Sequence, residues 1–379
     1  MRRWLILALA VAGLLALAAC AAKEETTPAP AASTPEAKAP WEQEWDRVIA
    51  AAKQEGKVTL VATSVGALGR EAMTEPFQKK YGIQVELLTG TGAELAGRVK
   101  TERLAGKYGW DVYMSGMDTM FGLRDEVQAF DPLEPALILP EVKEPKNWLG
   151  GKMWFSENEN KMLVLVTYST SALWVNTDLV KAGEIKAWKD LLDPKWKGKI
   201  VADDPRVSGP GPTTFAFLYQ QKELGPDFIR ELAKQEIKFF RSYQEPFDSL
   251  AHGKASVLIG GAEMLAVPMI EQGLPIKMVD PRQLKEGGRL ELANAVLALV
   301  NKAPHPNAAR VYINWLLSKE GQTYFSKSQG YPSRRVDVPT DHLTPAYLPV
   351  EGYWANLTEE AVRFKRGTVM PFVTQVLGN

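Results

Sequence analysis

The sequence predicts an α/β fold with two lobes, each a mostly parallel sheet flanked by helices. Short apolar runs with the length of buried strands alternate with segments whose apolar residues recur at helical spacing. This alternation continues through most of the chain, which is too long for one small sheet. The length of 379 residues suffices for about two domains.

The first lobe-sized block begins after residue 40. Apolar residues from Trp41 to Ala52 recur at helical spacing and predict a helix that ends near Gly56. The following pattern is strand, helix, strand, helix, strand, which is typical of a parallel sheet covered by helices. The predicted strands are 58–62, 83–87 and 111–114, and the predicted helices are 70–80, with Pro76 inside it, and 93–105.

The second half of the chain continues the same pattern. Two apolar runs come first, and glycines follow the last of the predicted strands. The predicted elements are the apolar runs 162–168 and 172–175, strands 199–202 and 257–259, a buried helix that opens at 215–219, and an amphipathic helix 308–316 with Pro306 near its start. We assign residues 41–155 with 290–326 to the first lobe and 156–289 with 327–379 to the second.

Composition and motifs argue for a binding protein. Lys plus Arg and Asp plus Glu number 45 each, so no basic surface for nucleic acid is predicted. His252, His305 and His342 lie far apart, outside the spacing of a zinc site. The sequence has neither a GxSxG elbow nor a GxxxxGK[ST] phosphate loop. Gly90 and Gly92 begin a dinucleotide motif that fails at Leu95, so no cofactor is predicted.

The N-terminus has the pattern of an export signal. Arg2 and Arg3 precede an apolar run, residues 4–17, that is too short to span a bilayer, and Cys20 follows small residues. This stretch resembles a bacterial lipoprotein signal, which implies that residues 1–19 are removed and that Cys20 is acylated. Residues 20–40 are rich in Ala, Thr, Pro and Glu and are predicted to form a flexible tether. We therefore predict a periplasmic or cell-surface protein that is lipid-anchored to a membrane.

Small polar residues follow the predicted strands at the positions where ligands bind open parallel sheets. Hydroxyl groups and backbone N–H groups at helix starts are donors for an anion, although any single one is more often an ordinary helix cap. Because several such turns occur in both lobes, we predict that they converge on a shared cleft. The predicted contacts are Thr63, Ser64, Thr91, Ser115 and Gly116 in the first lobe, and Ser208, Gly211, Thr213 and Glu263 in the second.

Two charged residues point to different ligands. Arg206 is the nearest candidate counter-charge for an anion, and it is equally well interpreted as a solvated loop residue. A Glu263 carboxylate in the cleft favours a ligand that carries an amine or a metal. Tyr168 and Trp174 lie in apolar runs; they could pack on a ligand, but the interpretation as core residues is favoured.

The chain from Trp45 onward resembles bacterial solute-binding proteins of ABC importers, and most closely the ferric-iron and aminophosphonate branch. The matching segments include AAKQEGKVTLVATS at 51–64, WKDLLDPKWKGKI at 188–200, KAPHPNAARVYINWLLSKEGQ at 302–322 and YPSRRVDV at 331–338. The resemblance implies the type II periplasmic binding protein fold, in which two hinged lobes close over a ligand. It also implies an ABC permease and its ATPase subunits as partners.

Iron-binding members of this family hold ferric ion with two adjacent tyrosines, a histidine and a glutamate. At the corresponding positions this chain has Ala262 and Glu263, Gly69, and Gly116. The resemblance therefore implies the fold and the transport role without that metal site. Iron capture through other tyrosines stays an alternative, and the candidates are Tyr168, Tyr219, Tyr243 and Tyr331.

The sequence thus predicts a monomeric, membrane-anchored receptor that captures a small polar solute, anionic in character, by hinge closure. No catalysis is predicted. Capture of ferric or another metal ion is the first alternative. A surface enzyme would instead need a pair of titrating groups in the cleft, and a structural envelope lipoprotein would have no cleft.

Overall fold

The computed structural model describes residues 38–63, 65–153, 160–207, 209–292, 295–355 and 358–378. The signal peptide, Cys20 and nearly all of the predicted tether lie outside the described residues, as do Ser64 and Ser208. Residues from Pro40 onward belong to one folded unit.

Two helix ends show the expected local sequence signals. Helix α2 ends at Gly82, which has a left-handed conformation with φ of 69°, and helix α10 begins at Pro306, where the missing N–H has no helical partner. The helices are α1 Pro40–Glu55, α2 Ala67–Tyr81, α3 Gly92–Leu104, α4 Met117–Val127, α5 Pro140–Lys143, α6 Pro210–Gln220, α7 Gly225–Ala233, α8 Gln244–Ala251, α9 Glu263–Glu271, α10 Pro306–Leu317, α11 Lys319–Gln329, α12 Glu359–Phe364 and α13 Met370–Leu377, with a π-helical turn Lys365–Val369 between the last two.

The strands are short, and most of those in the two main sheets are buried. They are β1 Lys57–Thr63, β2 Gln84–Gly90, β3 Val112–Ser115, β4 Phe130–Asp131, β5 Met162–Val164, β6 Tyr168–Thr170, β7 Leu173–Asn176, β8 Ile200–Asp203, β9 Lys238–Phe240, β10 Val257–Ile259, β11 Ile276–Met278, β12 Arg289–Glu291, β13 Val296–Val300 and β14 Trp354–Ala355. Of these, β2 and β9 are partly exposed.

The strands of the first lobe form a sheet in the order β2-β1-β3-β13-β4, and β5 also pairs with β13. Strand β1 runs parallel to β2 and β3. Ala62 pairs with Met114, so the next residues, Thr63 and Ser115, end their strands side by side. This register fixes the position of the first predicted site residues.

The second lobe is built on a sheet in the order β11-β7-β10-β8-β9, in which β8 runs parallel to β10 and β9. A third sheet, β14-β12-β6, is separate from both. In it, Tyr168 lies opposite Glu291, and Thr170 lies opposite Arg289. Because residues two apart share a strand face, these four side chains lie on one face.

One apolar cluster runs from the first sheet into the second. It contains Met114 of β3, Tyr168 of β6 and Trp174 of β7, and Trp174 packs edge-on against Phe247 at 5.2 Å. Tyr168 and Trp174 are buried, which confirms their interpretation as core residues. A second cluster in the second lobe includes Val369 and Val373 near the C-terminus.

The two-lobe α/β fold class is confirmed, with two differences of detail. Both sheets are mixed, because β13 in the first and β7 in the second run antiparallel to their neighbours. Helix α6 begins at Pro210, so Gly211 and Thr213 lie inside the helix and not in a turn before it. Proline favours this earlier start, because its fixed φ suits the first helical position.

Among the described residues, no helix has the length and the apolar character needed to cross a bilayer.

Candidate functional site

The edge of the first lobe brings together two hydroxyl groups that the sequence predicts. Thr63 Oγ1 donates to Ser115 Oγ at 3.1 Å, and both side chains are buried. Gly116 is the N-cap of α4 and has no side chain to bond the free N–H groups of that helix start. The β1–β3 register therefore places hydroxyl groups next to the start of a helix, whose first backbone N–H groups have no partner within the helix.

Thr91 lies at the same edge and caps a helix. Its Oγ1 accepts a hydrogen bond from the backbone N–H of Glu94 at 3.3 Å. A methyl group added at Gly92 would lie 2.9 Å from Thr119 Oγ1 and 3.8 Å from Ser115 Oγ. Glycine at this position therefore lets the start of α3 approach the start of α4.

The edge of the second lobe is centred on a buried carboxylate that the sequence analysis missed. Asp203, the last residue of β8, is 2 % exposed, and its Oδ2 accepts from the backbone N–H of Gly261 at 2.6 Å. Burial raises the pKa of Asp203 to about 6, and the charge of Glu263 adds to this rise. The hydrogen bond from Gly261 acts in the opposite direction and lowers the pKa.

Gly211 has a packing role beside this carboxylate. A methyl group at Gly211 would lie 2.7 Å from the backbone oxygen of Asp203 and 2.9 Å from that of Asp204. Glycine is therefore needed for α6 to start against the end of β8. Thr213 follows in the same helix and is buried.

Glu263 is the first residue of α9, and its carboxylate is held by the protein itself. It is 5 % exposed, and it accepts from Thr170 Oγ1 at 2.7 Å and from the Tyr168 hydroxyl at 3.0 Å. Burial raises the pKa of Glu263, and the Thr170 hydrogen bond and the charge of Arg289 oppose this rise.

Three tyrosines surround this carboxylate. The rings of Tyr168 and Tyr331 stack with centroids 4.3 Å apart, and Tyr347 packs 5.9 Å from Tyr168. Burial, followed by the charge of Glu263, raises the pKa of the Tyr168 and Tyr331 hydroxyls. The cluster is therefore stabilised with its phenols protonated.

The other two candidate tyrosines lie outside this cluster, and Tyr243 lies near Asp203, since burial and then the Asp203 charge raise the pKa of Tyr243. Tyr219 packs edge-on against Phe364 and Phe372, and the Tyr243 ring lies over Gly209. In the part of the chain that the structure describes, no three His, Cys, Asp or Glu side chains lie close enough together to hold a metal ion.

A cavity of about 920 Å³ opens between the starts of two helices, α4 in the first lobe and α6 in the second. Asp118 lines it from α4, and Arg206 and Pro212 line it from the second lobe. The remaining wall comes from the C-terminal helices, and its residues are Lys365, Arg366, Met370, Pro371, Thr374, Gln375 and Gly378.

Arg206 lines this cavity but is engaged by protein groups. Its Nε and Nη2 donate to the Asp204 carboxylate at 2.7 and 3.0 Å, and its Nη1 donates to the Gly378 carbonyl at 2.9 Å. Burial raises the pKa of Asp204, but the Arg206 hydrogen bonds and charge outweigh it and lower that pKa overall. Arg206 is therefore not a free loop charge.

Comparisons with known proteins agree with this architecture. A sequence profile of the family described as bacterial extracellular solute-binding protein matches residues 62–323. A Salmonella typhimurium protein described as a candidate 2-aminoethylphosphonate-binding periplasmic protein is 30 % identical over 183 residues, which cover 47 % of this chain and 53 % of that protein.

Solved structures resemble the fold over most of the chain. Iron-bound HitA from Pseudomonas aeruginosa has a TM-score of 0.62 at 19 % identity, and the match covers 84 % of this chain and 99 % of HitA. AfuA from Actinobacillus pleuropneumoniae, with fructose-6-phosphate bound, has a TM-score of 0.59 at 20 % identity, and the match covers 85 % and 96 % of the two chains. The family profile spans more than half of the sequence, and the two-lobe α/β fold agrees with it. The chain therefore belongs to the bacterial extracellular solute-binding proteins, which bind small solutes outside the cytoplasm and deliver them to the permease of an ABC importer.

Proposed function

We propose that this chain is a monomeric receptor, anchored through acylated Cys20, that captures a small polar, anionic solute by closure of its two lobes. The observation that carries the proposal is the cavity between the starts of α4 and α6. Its walls come from both lobes, so a solute there would contact both and favour the closed form.

The charge of the cavity wall supports an anionic solute. Among the described residues, Arg206, Lys365 and Arg366 line it with one carboxylate, that of Asp118, and Asp204 pairs with Arg206 from outside the lining. The hydroxyl groups of Thr63 and Ser115 and the uncapped start of α4 add neutral donors at the neighbouring edge. The Salmonella typhimurium relative is described by a phosphonate ligand, and the AfuA structure holds a sugar phosphate.

The acidic residues do not require a cationic ligand. The carboxylate of Glu263 accepts hydrogen bonds from Tyr168 and Thr170, so it is satisfied without a solute amine. Thr63, Ser115 and Gly116 remain proposed contacts on the first lobe for a solute that extends past the cavity, because they do not line it. Gly211 and Thr213 help to shape the second lobe beside it.

Native mass spectrometry of the purified mature protein tests the proposal directly. We expect an adduct of a few hundred daltons or less that is lost on denaturation. Isothermal titration of refolded protein with 2-aminoethylphosphonate, fructose-6-phosphate and inorganic phosphate would then identify the anionic group. Failure to detect either an adduct or binding of any panel compound would contradict solute capture.

Ferric capture is the alternative that the tyrosine cluster favours. Tyr168, Tyr331 and Tyr347 surround Glu263 and could supply oxygen ligands to a hard cation. The raised pKa of Tyr168 and Tyr331 argues against it, because iron would need their phenolates. Addition of ferric citrate should give no tyrosinate-to-iron absorption band; a band lost in Tyr168→Phe would establish the alternative.

Membrane anchoring is tested by replacing the proposed acylation site. Wild-type protein expressed with its signal should fractionate with membranes, whereas Cys20→Ser should be released in soluble form. Equal membrane association of both proteins would exclude the lipid anchor.

A further inference from the structure

The C-terminal helices form a wall of the cavity and connect the two lobes. We call residues 359–377 the C-terminal strap; it comprises α12, the π-helical turn and α13. Its Phe364 and Phe372 pack against Tyr219 at the end of α6. Its other side reaches α4 of the first lobe, where Glu359 accepts both Nη groups of Arg124 at 2.9 and 3.0 Å.

Two cations of the strap share one carboxylate at the cavity. Lys365 Nζ lies 3.0 Å from Asp118 Oδ2, and Arg366 Nη2 lies 3.0 Å from Asp118 Oδ1. Lys365 is only 4 % exposed, whereas the Arg366 side chain is 53 % exposed. Burying an ammonium group costs free energy unless an opposite charge compensates it. Because Asp118 is shared with Arg366, its carboxylate compensates Lys365 only in part.

The other cations near the cavity are better compensated. Arg206 has the Asp204 carboxylate across two of its nitrogens and a carbonyl on the third, and the second cation near Asp204, Arg241 at 3.5 Å, is 78 % exposed. Arg124 has the Glu359 carboxylate in the same two-bond geometry and also pairs with Asp125, so the two arginines on Glu359, Arg124 and Arg363, are matched by two carboxylates. Among the described residues that line the cavity, the surplus positive charge therefore lies at Lys365 and Arg366.

The backbone at this point also departs from a regular helix. Lys365 and Arg366 begin the π-helical turn that interrupts the strap, and such turns occur frequently at functional sites. The turn places two consecutive cations beside one carboxylate of another helix, on the wall of a cavity large enough for a small solute.

We infer that Lys365 and Arg366 form the anion subsite of the cavity and bind the oxyanion group of the solute directly. Asp118 holds both cations in place when the subsite is empty, and the bound oxyanion supplies the missing negative charge. This inference rests on the proposed function and deepens it by assigning the counter-charge to the strap, in place of Arg206.

Titration calorimetry with inorganic phosphate, methylphosphonate and acetate tests the subsite and separates a phosphorus oxyanion from a carboxylate. We expect Lys365→Met and Arg366→Gln to weaken binding of the preferred anion by roughly ten- to hundredfold, the usual effect of one charge-assisted hydrogen bond. Arg363→Gln is the matched control, because Arg363 lies on the same strap, pairs with Glu359 and does not line the cavity. Thermal unfolding of each variant checks that the strap stays folded.

Asp118→Asn distinguishes anion binding by Lys365 and Arg366 from a purely structural ion pair between these cations and Asp118. It keeps an oxygen acceptor for Lys365 but removes the competing negative charge, so the anion should bind several-fold more tightly. Unchanged or weaker binding in Asp118→Asn, or anion affinity unaltered in Lys365→Met and Arg366→Gln, would overturn the inference.

The same measurements separate this inference from the proposed function. If no anion binds the wild type while native mass spectrometry finds a retained cationic or neutral solute, the subsite is refuted and solute capture stands. If neither a retained solute nor any probe is detected, both are refuted.

Discussion

Replacing Asp203 with asparagine should make the stability of the protein less dependent on pH. Asp203 lies at the end of β8, and its Oδ1 has no hydrogen-bond partner among the described residues. Burial, with the nearby charge of Glu263, raises its pKa from 3.8 to about 6, against the Gly261 N–H and the charge of Arg289. The folded protein therefore holds a proton that the unfolded chain has already released between these pH values.

The sign and size of the effect follow from that difference. A carboxyl whose pKa rises on folding contributes stability that is complete below its unfolded pKa and lost as pH rises through its folded pKa. A rise from 3.8 to about 6 corresponds to about 3 kcal/mol of unfolding free energy lost between roughly pH 4 and pH 7. Asparagine cannot ionise, so Asp203→Asn should gain stability relative to wild type by up to this amount as pH rises.

Urea unfolding of both proteins between pH 4 and pH 7.5 measures this difference. Glu263 is present in both proteins, but its charge interacts with that of Asp203, so the measured difference includes this coupling. Asp227→Asn is a surface control, because the Asp227 side chain is 93 % exposed, and we expect its difference from wild type to vary by less than about 0.5 kcal/mol with pH. A pH-independent difference between wild type and Asp203→Asn would refute the argument that Asp203 is ionised at a cost in the folded protein.

Two further predictions concern the contacts that frame the cavity. Urea unfolding of Arg124→Gln, Glu359→Gln and the double variant measures the coupling free energy of this ion pair. We expect about 1 kcal/mol at low salt, because the two-bond pair is partly buried, and a smaller value in 1 M NaCl, where salt screens the charges. The absence of coupling would mean that the pair does not join the strap to α4. Gly211→Ala should lower the unfolding free energy by about 1–3 kcal/mol, because the new methyl group would meet the Asp203 carbonyl. Gly97→Ala in α3 is its control, because no atom lies within 4 Å of the added methyl group there, and equal stability of the two variants would contradict the packing role.

The first-lobe edge was predictable because it depends on local pattern and on one rule of parallel sheets. The strand patterns that end near Thr63 and Ser115 are readable along the sequence, and neighbouring parallel strands end at the same edge. The hydrogen bond between these residues follows from that register. Thr91 was placed at the correct helix start, where the structure gives it a capping bond to Glu94.

The charged parts of the site could not be predicted in this way. Lys365 and Asp118 are 247 positions apart, and Tyr168 and Glu263 are 95 apart, so no spacing pattern joins either pair. Arg206 was selected because it lies close in sequence to a predicted binding turn. Its ion pair with Asp204, two residues earlier, depends on the conformation of this loop.

The hydroxyl groups of the first-lobe edge and the cations of the strap would act at different stages as the lobes close. The hydroxyl groups of Thr63 and Ser115 are short, buried and neutral, so they act only on a solute that is already in place. Charge acts over longer distances, about 8–10 Å at physiological salt. The strap carries Lys365 and Arg366 on a segment that packs on the second lobe while Asp118 holds them to the first. An oxyanion that binds these two cations therefore lies at the contact between the lobes, where it competes with Asp118 for them. Closure should be favoured because the same solute also reaches the hydroxyl and N–H donors of the first-lobe edge.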